Sequence, residues 1–239
     1  MNKRLLLFSN GSEIVGDEGT TGYAAGVIKD FLGESGGPLL FVPFASVTRS
    51  FNQYIERVRA RFGPLGYEAH SLHEARDARV AVGEAVAIVI GGGNTFHLLR
   101  EMYAVGIVEA LRERVEGGAP YIGWSAGSNV ACPTIKTTND MPVVEPQSFD
   151  ALNLVPFQIN PHYTEARLEG HHGETRDERL AEFVQANRSV RVVGLREGSA
   201  LRVENQSIRL LGDKPARIFV NDSPATDVQP ADSLDFLFN

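Results

Sequence analysis

Apolar residues in the first half of the chain follow two alternating spacings. Nearly continuous apolar runs predict buried strands at residues 4–8, 39–44, 68–72, 85–90 and 121–124. Between them, apolar residues recur every three or four positions, which predicts helices at residues 21–31, 51–62, 95–102 and 107–115. Strands without a polar side must be covered on both faces. The pattern therefore predicts an α/β fold, with a doubly wound, mostly parallel sheet and helices on both faces.

The second half of the chain follows a different pattern. An irregular stretch covers residues 133–156, a strand is predicted at 157–160 and a helix at 176–186. Short β segments follow at residues 190–195, 200–203, 208–211 and 217–220. Their spacing predicts hairpins that finish the sheet as an antiparallel edge toward the C terminus. No internal repeat and no linker rich in Pro, Gly or Ser interrupts the sequence, so we expect residues 1–239 to form a single domain.

Composition narrows the classes of partner. The 239 residues carry a formal net charge of −7 and have a sequence pI of about 5.4. This acidic balance argues against a nucleic-acid partner, because phosphates are bound by basic surfaces. No stretch approaches the roughly 18 apolar residues of a membrane span, so no membrane partner is expected. Cys132 is the single cysteine and cannot form an internal disulfide, which favours a reducing, cytoplasmic setting.

The sequence Gly-Trp-Ser-Ala-Gly at residues 123–127 follows directly on a predicted strand. A G-x-S-x-G at a strand end is typical of a nucleophile elbow, in which Ser125 lies on a sharp turn before a helix. The flanking glycines fit this interpretation, because a Cβ there would clash with neighbouring backbone. A strand-turn-helix junction with a buried serine is the alternative.

Chemically useful residues follow four of the predicted strands. These residues are the glycines at 91–93, Ser125, His162 and Glu197. In open α/β sheets, ligands bind outside the carboxyl ends of the strands. We therefore expect the four groups to meet in one site.

A serine hydroxyl needs a base before it can act as a nucleophile, and a histidine suits this role because its ordinary pKa is near 6.5. His162 follows Pro161 at a predicted strand end, on a turn fixed by the proline, and a carboxylate such as Glu197 would hold its tautomer. A turn histidine with satisfied hydrogen bonds is the alternative. His171 and His172 match no zinc spacing, so no metal is expected.

The glycine run at 91–93 leads from a predicted strand into a predicted helix and fits neither the P-loop nor the G-x-G-x-x-G pattern. Such a run fits an acyl-transfer enzyme better than a phosphate-binding protein, because its backbone N–H groups can form an oxyanion hole. We expect the N–H of Gly92 or Gly93 to act there together with the N–H of Ala126. A tight turn without a catalytic role is the alternative.

Seven blocks of the sequence carry a resemblance to a known family. They are GGGNTF at 91–96, YIGWSAG at 121–127, ACPTI at 131–135, TTNDMP at 137–142, QINPH at 158–162, GHHGETR at 170–176 and GLREG at 194–198. With these blocks in this order, the chain resembles serine-peptidase family S51, the α-aspartyl dipeptidases, over nearly its whole length. The resemblance implies a fold akin to the class I glutamine amidotransferases. It also implies a cytoplasmic exopeptidase that hydrolyses dipeptides with an N-terminal aspartate.

The resemblance also implies roles for single residues. The family's nucleophile matches Ser125 and its base matches His162, while both Asp140 and Glu197 fall on motifs proposed to supply the third triad member. Glu197 is favoured physically, because it follows a strand end beside the other groups. Asp140 lies in a proline-flanked loop, where it could instead order the loop or meet the substrate amine.

Binding of an N-terminal aspartate favours an arginine, whose planar fork pairs bidentately with a carboxylate. Arg176 is the candidate, with Asn94 as a second substrate-binding residue, and an exposed helix residue is the alternative for Arg176. A small peptide is the expected substrate, no cofactor is expected, and a homo-oligomer stays open. Two other functions remain open: a cyanophycinase-like or β-aspartyl peptidase, and a non-catalytic binding protein on the same fold.

Overall fold

The structure is a computed structural model that describes residues 3–15, 22–33, 37–166, 170 and 173–238. His171 and His172, for which no zinc site is expected, lie outside these residues. The described strands are β1 (Arg4–Phe8), β2 (Leu39–Val42), β3 (Ala69–Ser71), β4 (Ala87–Ile90), β5 (Tyr121–Trp124), β6 (Gln158–Tyr163), β7 (Val192–Arg196), β8 (Ala200–Glu204), β9 (Ser207–Leu211), β10 (Ala216–Phe219) and β11 (Thr226–Val228). The described α-helices are α1 (Ser12–Val15), α2 (Gly22–Leu32), α3 (Phe51–Phe62), α4 (Ala78–Glu84), α5 (Thr95–Ala104), α6 (Val108–Glu116), α7 (Ala126–Asn129) and α8 (Arg176–Ala186). Short 3₁₀ helices lie at Gly63–Leu65, Leu72–Glu74 and Asp235–Phe238.

A seven-stranded sheet forms the centre of the fold, in the order β3-β2-β4-β5-β1-β8-β9. The first five strands in this order are parallel, while β8 pairs antiparallel with β1 and β9 pairs antiparallel with β8. The carboxyl ends of β4, β5 and β1 therefore lie side by side. This arrangement confirms the predicted α/β fold and the antiparallel strands toward the C terminus.

Alternate residues of the central strands pack into two different cores. On β1, Leu5 belongs to the same buried cluster as Leu99 of α5. Its neighbour Leu6 belongs to a second cluster, with Ile28 of α2 and Val58 of α3. Successive side chains of a strand point to opposite faces, so a wholly apolar strand requires helices on both sides. The structure supplies them on both sides.

A second, four-stranded sheet has the order β11-β10-β7-β6. Strands β6 and β7 are parallel to each other, and β10 is antiparallel to β7 and β11. The expectation that the C-terminal segments finish one sheet therefore holds only for β8 and β9, because β7 and β10 belong to the second sheet. Apolar periodicity predicts a strand but not its partner, which depends on packing across the fold. Ile159 of β6 and Leu195 of β7 share a buried cluster with Leu5 of β1.

Strand β6 contains a β-bulge at the position that carries His162. Asn160 pairs with Gly194 and Tyr163 pairs with Arg196, so two residues of β6 lie between rungs that only one residue of β7 separates. The prediction that the strand ends before Pro161, with His162 on a turn, is corrected here, because the strand continues to Tyr163. His162 has a φ of 53°, in the left-handed region. A bulge of this kind re-aims a side chain without ending the strand.

Two short helices are additional to those predicted. Helix α1 lies in the segment after β1, and α4 begins after Asp77, whose carboxylate accepts hydrogen bonds from the N–H groups of Arg79 and Val80 at 2.9 and 3.1 Å. Such an N-cap starts a helix that is too short for a clear apolar period. None of the helices within the described ranges is both long and apolar enough to span a membrane.

Candidate active site

Ser125 lies on the sharp turn between β5 and α7, with a φ of 55° and a ψ of −113°. The flanking glycines are required by the close approach of neighbouring backbone. A Cβ on Gly123 would lie 2.5 Å from the carbonyl oxygen of Gly127, and a Cβ on Gly127 would lie 2.1 Å from that of Ile90. The N–H of Ser125 donates to the carbonyl of Phe8 at 3.1 Å, which holds the turn at the end of β1. This is the geometry of a nucleophile elbow.

His162 meets the hydroxyl of Ser125 from the bulge of β6. Its Nε2 lies 2.8 Å from Ser125 Oγ, and its Nδ1 lies 2.5 Å from Glu197 Oε1. A carboxylate can only accept, so the Nδ1–H of His162 donates to Glu197. Nε2 is then the basic nitrogen and accepts from the Ser125 hydroxyl. The side chains of His162 and Glu197 are 40% and 57% exposed, which leaves the site open to a substrate.

Asp140, the other candidate for the third triad position, lies elsewhere. Its Oδ2 accepts from the N–H of Thr95 at 2.8 Å, from the hydroxyl of Thr95 at 2.6 Å and from that of Thr138 at 3.0 Å. A carboxylate is favourable at this position, because α5 begins at Thr95 and a helix N-terminus carries a partial positive charge. Asp140 therefore anchors its loop to α5, and Glu197 is the carboxylate that contacts His162.

The glycines after β4 lie against the elbow. A Cβ on Gly92 would lie 3.0 Å from Ser125 Cβ, and Gly93 has a φ of 142° with only 2.2 Å between such a Cβ and the carbonyl oxygen of Ala45. Within the described residues, the N–H groups of Gly92, Gly93 and Ala126 have no hydrogen-bond acceptor. Unpaired N–H groups beside a nucleophile are the donors that an oxyanion hole requires.

Trp124 and Tyr54 support this glycine loop, and neither was predicted to belong to the site. The indole Nε1–H of Trp124 donates to the hydroxyl of Tyr54 at 3.1 Å, and that hydroxyl donates to the carbonyl of Gly92 at 3.0 Å. Burial raises the pKa of Tyr54 to about 12, so the hydroxyl remains a donor at neutral pH. The helical periodicity that places Tyr54 in the core conceals this second role.

Asn94 holds two elements together. Its Oδ1 accepts from the N–H of His97 at 3.0 Å as the N-cap of α5, and its Nδ2 donates to the carbonyl of Met141 at 2.8 Å. The side-chain amide is therefore engaged within the protein. This arrangement couples the glycine loop to the loop that carries Asp140.

Arg176, at the start of α8, is half-buried in a cavity of about 530 Å³ that Asp140, Asn160 and Arg179 also line. Its guanidinium donates to Asn160 Oδ1 at 3.3 Å and has no carboxylate partner among the described residues. Burial and the neighbouring charge of Arg179 lower the pKa of Arg176. A cation held in this way attracts an anion.

A second cationic cavity, of about 340 Å³, borders the glycine loop. Gly92 and Gly93 line it together with Arg49 and Arg57, and no acidic residue within the described ranges does so. Arg57 donates to the carbonyl of Val15 at 2.8 Å, whereas the exposed side chain of Arg49 has no carboxylate partner in the described part of the chain. The sequence offered no pattern that singled out this cavity.

The remaining reactive groups do not join the site. Cys132 is buried, and this burial raises the pKa of its thiol to about 12, which makes it a poor nucleophile. The Nδ1–H of His97 donates to the carbonyl of Phe44 at 2.6 Å. The described residues contain no group of three or more His, Cys, Asp or Glu side chains arranged to hold a metal ion.

A family comparison decides what kind of protein presents this site. The model of Peptidase family S51 matches residues 5–211, a range that includes Ser125, His162 and Glu197. The chain belongs to peptidase family S51. As a member of S51 it is a peptidase, a hydrolase that acts on peptides.

Two relatives of this S51 chain match over nearly their whole length. It is 50% identical over 237 residues to peptidase E of a Nostoc species, covering 99% of this chain and 97% of the relative. It is 44% identical over 237 residues to peptidase E of a Shewanella species, covering 99% of both.

Two solved structures share the fold. A protein from Listeria monocytogenes described as a candidate peptidase E superposes with a TM-score of 0.65 at 22% identity, covering 89% of this chain and 99% of that chain. A peptidase from an acI-B1 actinobacterium superposes with a TM-score of 0.69 at 18% identity, covering 98% and 97%.

Proposed function

We propose that this S51 peptidase is a serine dipeptidase that hydrolyses dipeptides with an N-terminal aspartate. The observation that carries the proposal is the 2.8 Å contact between Ser125 Oγ and His162 Nε2, made at a strained elbow. A hydroxyl exposed on such a turn and paired with a basic nitrogen is the arrangement that activates a serine. The name peptidase E, borne by relatives of 50% and 44% identity, supports the same reaction class.

The proposed reaction has two halves. Ser125 Oγ attacks the carbonyl carbon of the aspartyl residue while His162 Nε2 takes the hydroxyl proton. The carbonyl oxygen becomes an oxyanion that the N–H groups of Gly92, Gly93 and Ala126 stabilise. The C–N bond then breaks as His162 gives its proton to the leaving amine. Water, deprotonated by the same imidazole, then attacks the acyl carbon. The ester bond to Ser125 Oγ breaks, His162 returns the proton to Oγ, and aspartate is released.

Glu197 is the proposed orienting carboxylate. Its 2.5 Å contact with Nδ1 keeps the His162 proton on that nitrogen and stabilises the imidazolium that forms during attack. Asp140 is proposed to act at one remove, because its contacts with Thr95 and Thr138 order the loop beside the glycine run.

Arg176 is the proposed partner of the aspartyl side chain. Its guanidinium is half-buried, keeps no carboxylate of its own among the described residues and shares a cavity with Asn160, two residues before His162. The substrate carries a second carboxylate at its C terminus. The cavity that holds Arg49 beside Gly92 is the proposed place for it.

An assay of Asp-Leu hydrolysis tests the proposed function. The unaltered chain should release leucine, and Ser125→Ala should lower kcat by about 10⁴- to 10⁶-fold with an unchanged melting temperature. Near-normal turnover in that variant would refute the mechanism. Cleavage of β-linked but not α-linked aspartyl-leucine would move the proposal to a β-aspartyl peptidase, and binding without cleavage to a non-catalytic role.

The proposal also covers the domain organisation, the cellular setting and the cofactor requirement of the protein. A single domain over residues 1–239, a cytoplasmic setting and independence of metals and cofactors are proposed for this peptidase. They rest on the absence of a linker sequence, on the single cysteine and on the purely organic triad. Whether the peptidase acts as a homo-oligomer is decided by measuring its mass in solution.

A further inference from the structure

Three chain segments that carry the proposed triad meet at the end of β1. Phe8 is the last residue of β1, and its carbonyl accepts from the N–H of Ser125 at 3.1 Å. The next residue, Ser9, is fully buried and contacts both β6 and β7. The residue after it, Asn10, accepts from the N–H of Gly198 at 3.1 Å through Oδ1. Each of the three residues therefore contacts a different part of the triad scaffold.

The hydroxyl of Ser9 bridges the bulge. It accepts from the N–H of His162 at 2.9 Å and donates to the carbonyl of Leu195 at 2.7 Å. At this point β6 has two residues between rungs where β7 has one, and Pro161 has no N–H to offer. The hydroxyl occupies the gap as both donor and acceptor. A serine suits it because one small oxygen provides both functions.

We propose that Ser9 is a positioning residue for the triad. Its hydroxyl holds the strained backbone of His162 at a fixed distance from β7, whose end carries Glu197, while its own backbone continues from the Phe8 carbonyl that binds the elbow. The side chain of Asn10 adds a further hydrogen bond, which it accepts from the N–H of Gly198, the residue after Glu197. The end of β1, in the seven-stranded sheet, thereby fixes the positions of His162 and Glu197, which the four-stranded sheet carries. This assignment rests on the triad proposed above.

Removal of the hydroxyl has a specific expected effect. In Ser9→Ala, the N–H of His162 and the carbonyl of Leu195 lose a partner in a buried place, so the bulge relaxes and the imidazole moves away from Ser125. We expect kcat for Asp-Leu to fall about 10- to 100-fold, while KM stays within about twofold, because misplacement affects the chemical step rather than binding.

A matched control separates positioning from general loss of a buried hydroxyl. Ser71 lies on β3, four strands away from β1, and is also buried, with Oγ 2.6 Å from His73 Nδ1. Ser71→Ala should leave kcat unchanged at the same degree of folding.

A second measurement does not depend on peptide cleavage. In a Ser125→Cys chain, a thiolate beside His162 is stabilised by the imidazolium, so the thiol pKa lies below its usual value of about 8.5. Iodoacetamide reports this pKa, because the thiolate attacks the methylene carbon and iodide leaves. Adding Ser9→Ala should move the half-maximal pH of alkylation up toward about 8.5, and adding Ser71→Ala should not. Buried Cys132 reacts slowly and does not obscure the result.

The outcomes separate the two proposals. An unaltered chain that cleaves no aspartyl dipeptide refutes the proposed function, while the alkylation profile still reports on Ser9. If folded Ser9→Ala keeps both kcat and the profile of its parent, the positioning role is wrong. If Ser9→Ala does not fold, Asn10→Ala is tested in its place. An unchanged pH profile of alkylation in Asn10→Ala would then also contradict the positioning role.

Discussion

His162 Nδ1 lies 2.5 Å from Glu197 Oε1, although 35 positions separate the two residues in the sequence. The contact arises because β6 and β7 are neighbouring parallel strands and both residues lie at their carboxyl ends. A bulge in β6 turns the imidazole so that its other nitrogen meets Ser125. The two sheets thus each contribute side chains to the same group of interacting residues.

Replacing Glu197 should affect chemistry without affecting stability. Glu197→Gln keeps the shape but removes the charge that stabilises the imidazolium, so we expect kcat to fall by about 10³- to 10⁴-fold. The free energy of unfolding should change little, because the side chain is more than half exposed. Asp-Leu turnover and urea denaturation measure the two quantities.

Replacing Asp140 should affect both quantities. Asp140→Asn weakens two hydrogen bonds at the start of α5 and one to Thr138, so we expect a loss of about 1–3 kcal/mol in the free energy of unfolding. Activity should fall as well, because the loop beside the glycine run loosens. A fall of less than tenfold in kcat for Glu197→Gln would contradict the place of Glu197 in the triad.

The elbow glycine Gly127 should not tolerate a methyl group. In Gly127→Ala the new Cβ would lie 2.1 Å from the carbonyl oxygen of Ile90, and backbone must move to admit it. We expect a destabilisation of about 1–3 kcal/mol or more and a loss of activity.

Gly26 on α2 is the control, because nothing lies within 4 Å of the Cβ it would gain. Gly26→Ala should raise the free energy of unfolding by about 0.5–1 kcal/mol, since alanine favours a helix. Equal effects of Gly26→Ala and Gly127→Ala would contradict the steric account.

Arg176 should govern recognition of the aspartyl side chain. Arg176→Gln should raise KM for Asp-anilide at least about tenfold, since a bidentate charged pair is lost, but should hardly change KM for Asn-anilide. Arg179→Gln is the matched control, because Arg179 is more exposed and lies 3.8 Å from Glu174. If KM rises equally for both substrates, Arg176 does not determine the specificity for aspartate.

Arg49 should govern recognition of the C-terminal carboxylate. Arg49→Gln should raise KM for Asp-Leu by about tenfold and leave KM for the amide Asp-Leu-NH₂ unchanged, because the amide has no charge to pair. Initial rates on the two peptides provide the comparison. If the two rates fall together, the cavity beside Gly92 does not bind that carboxylate.

The sequence by itself determined the local elements and the chemical inventory. Continuous apolar runs on β1 and β5 required helices on both faces of the sheet. The glycines around Ser125 indicated a turn too tight for a Cβ. These are short-range consequences of side-chain size and polarity, so a one-dimensional pattern contains them.

Only the tertiary structure decided which elements meet. Strand pairing assigned β7 and β10 to a second sheet, carried Glu197 rather than Asp140 to His162, and placed the buried hydroxyl of Ser9 in the gap of the bulge. Partners separated by 35 or 153 positions are selected by the packing of whole layers, which no local spacing records.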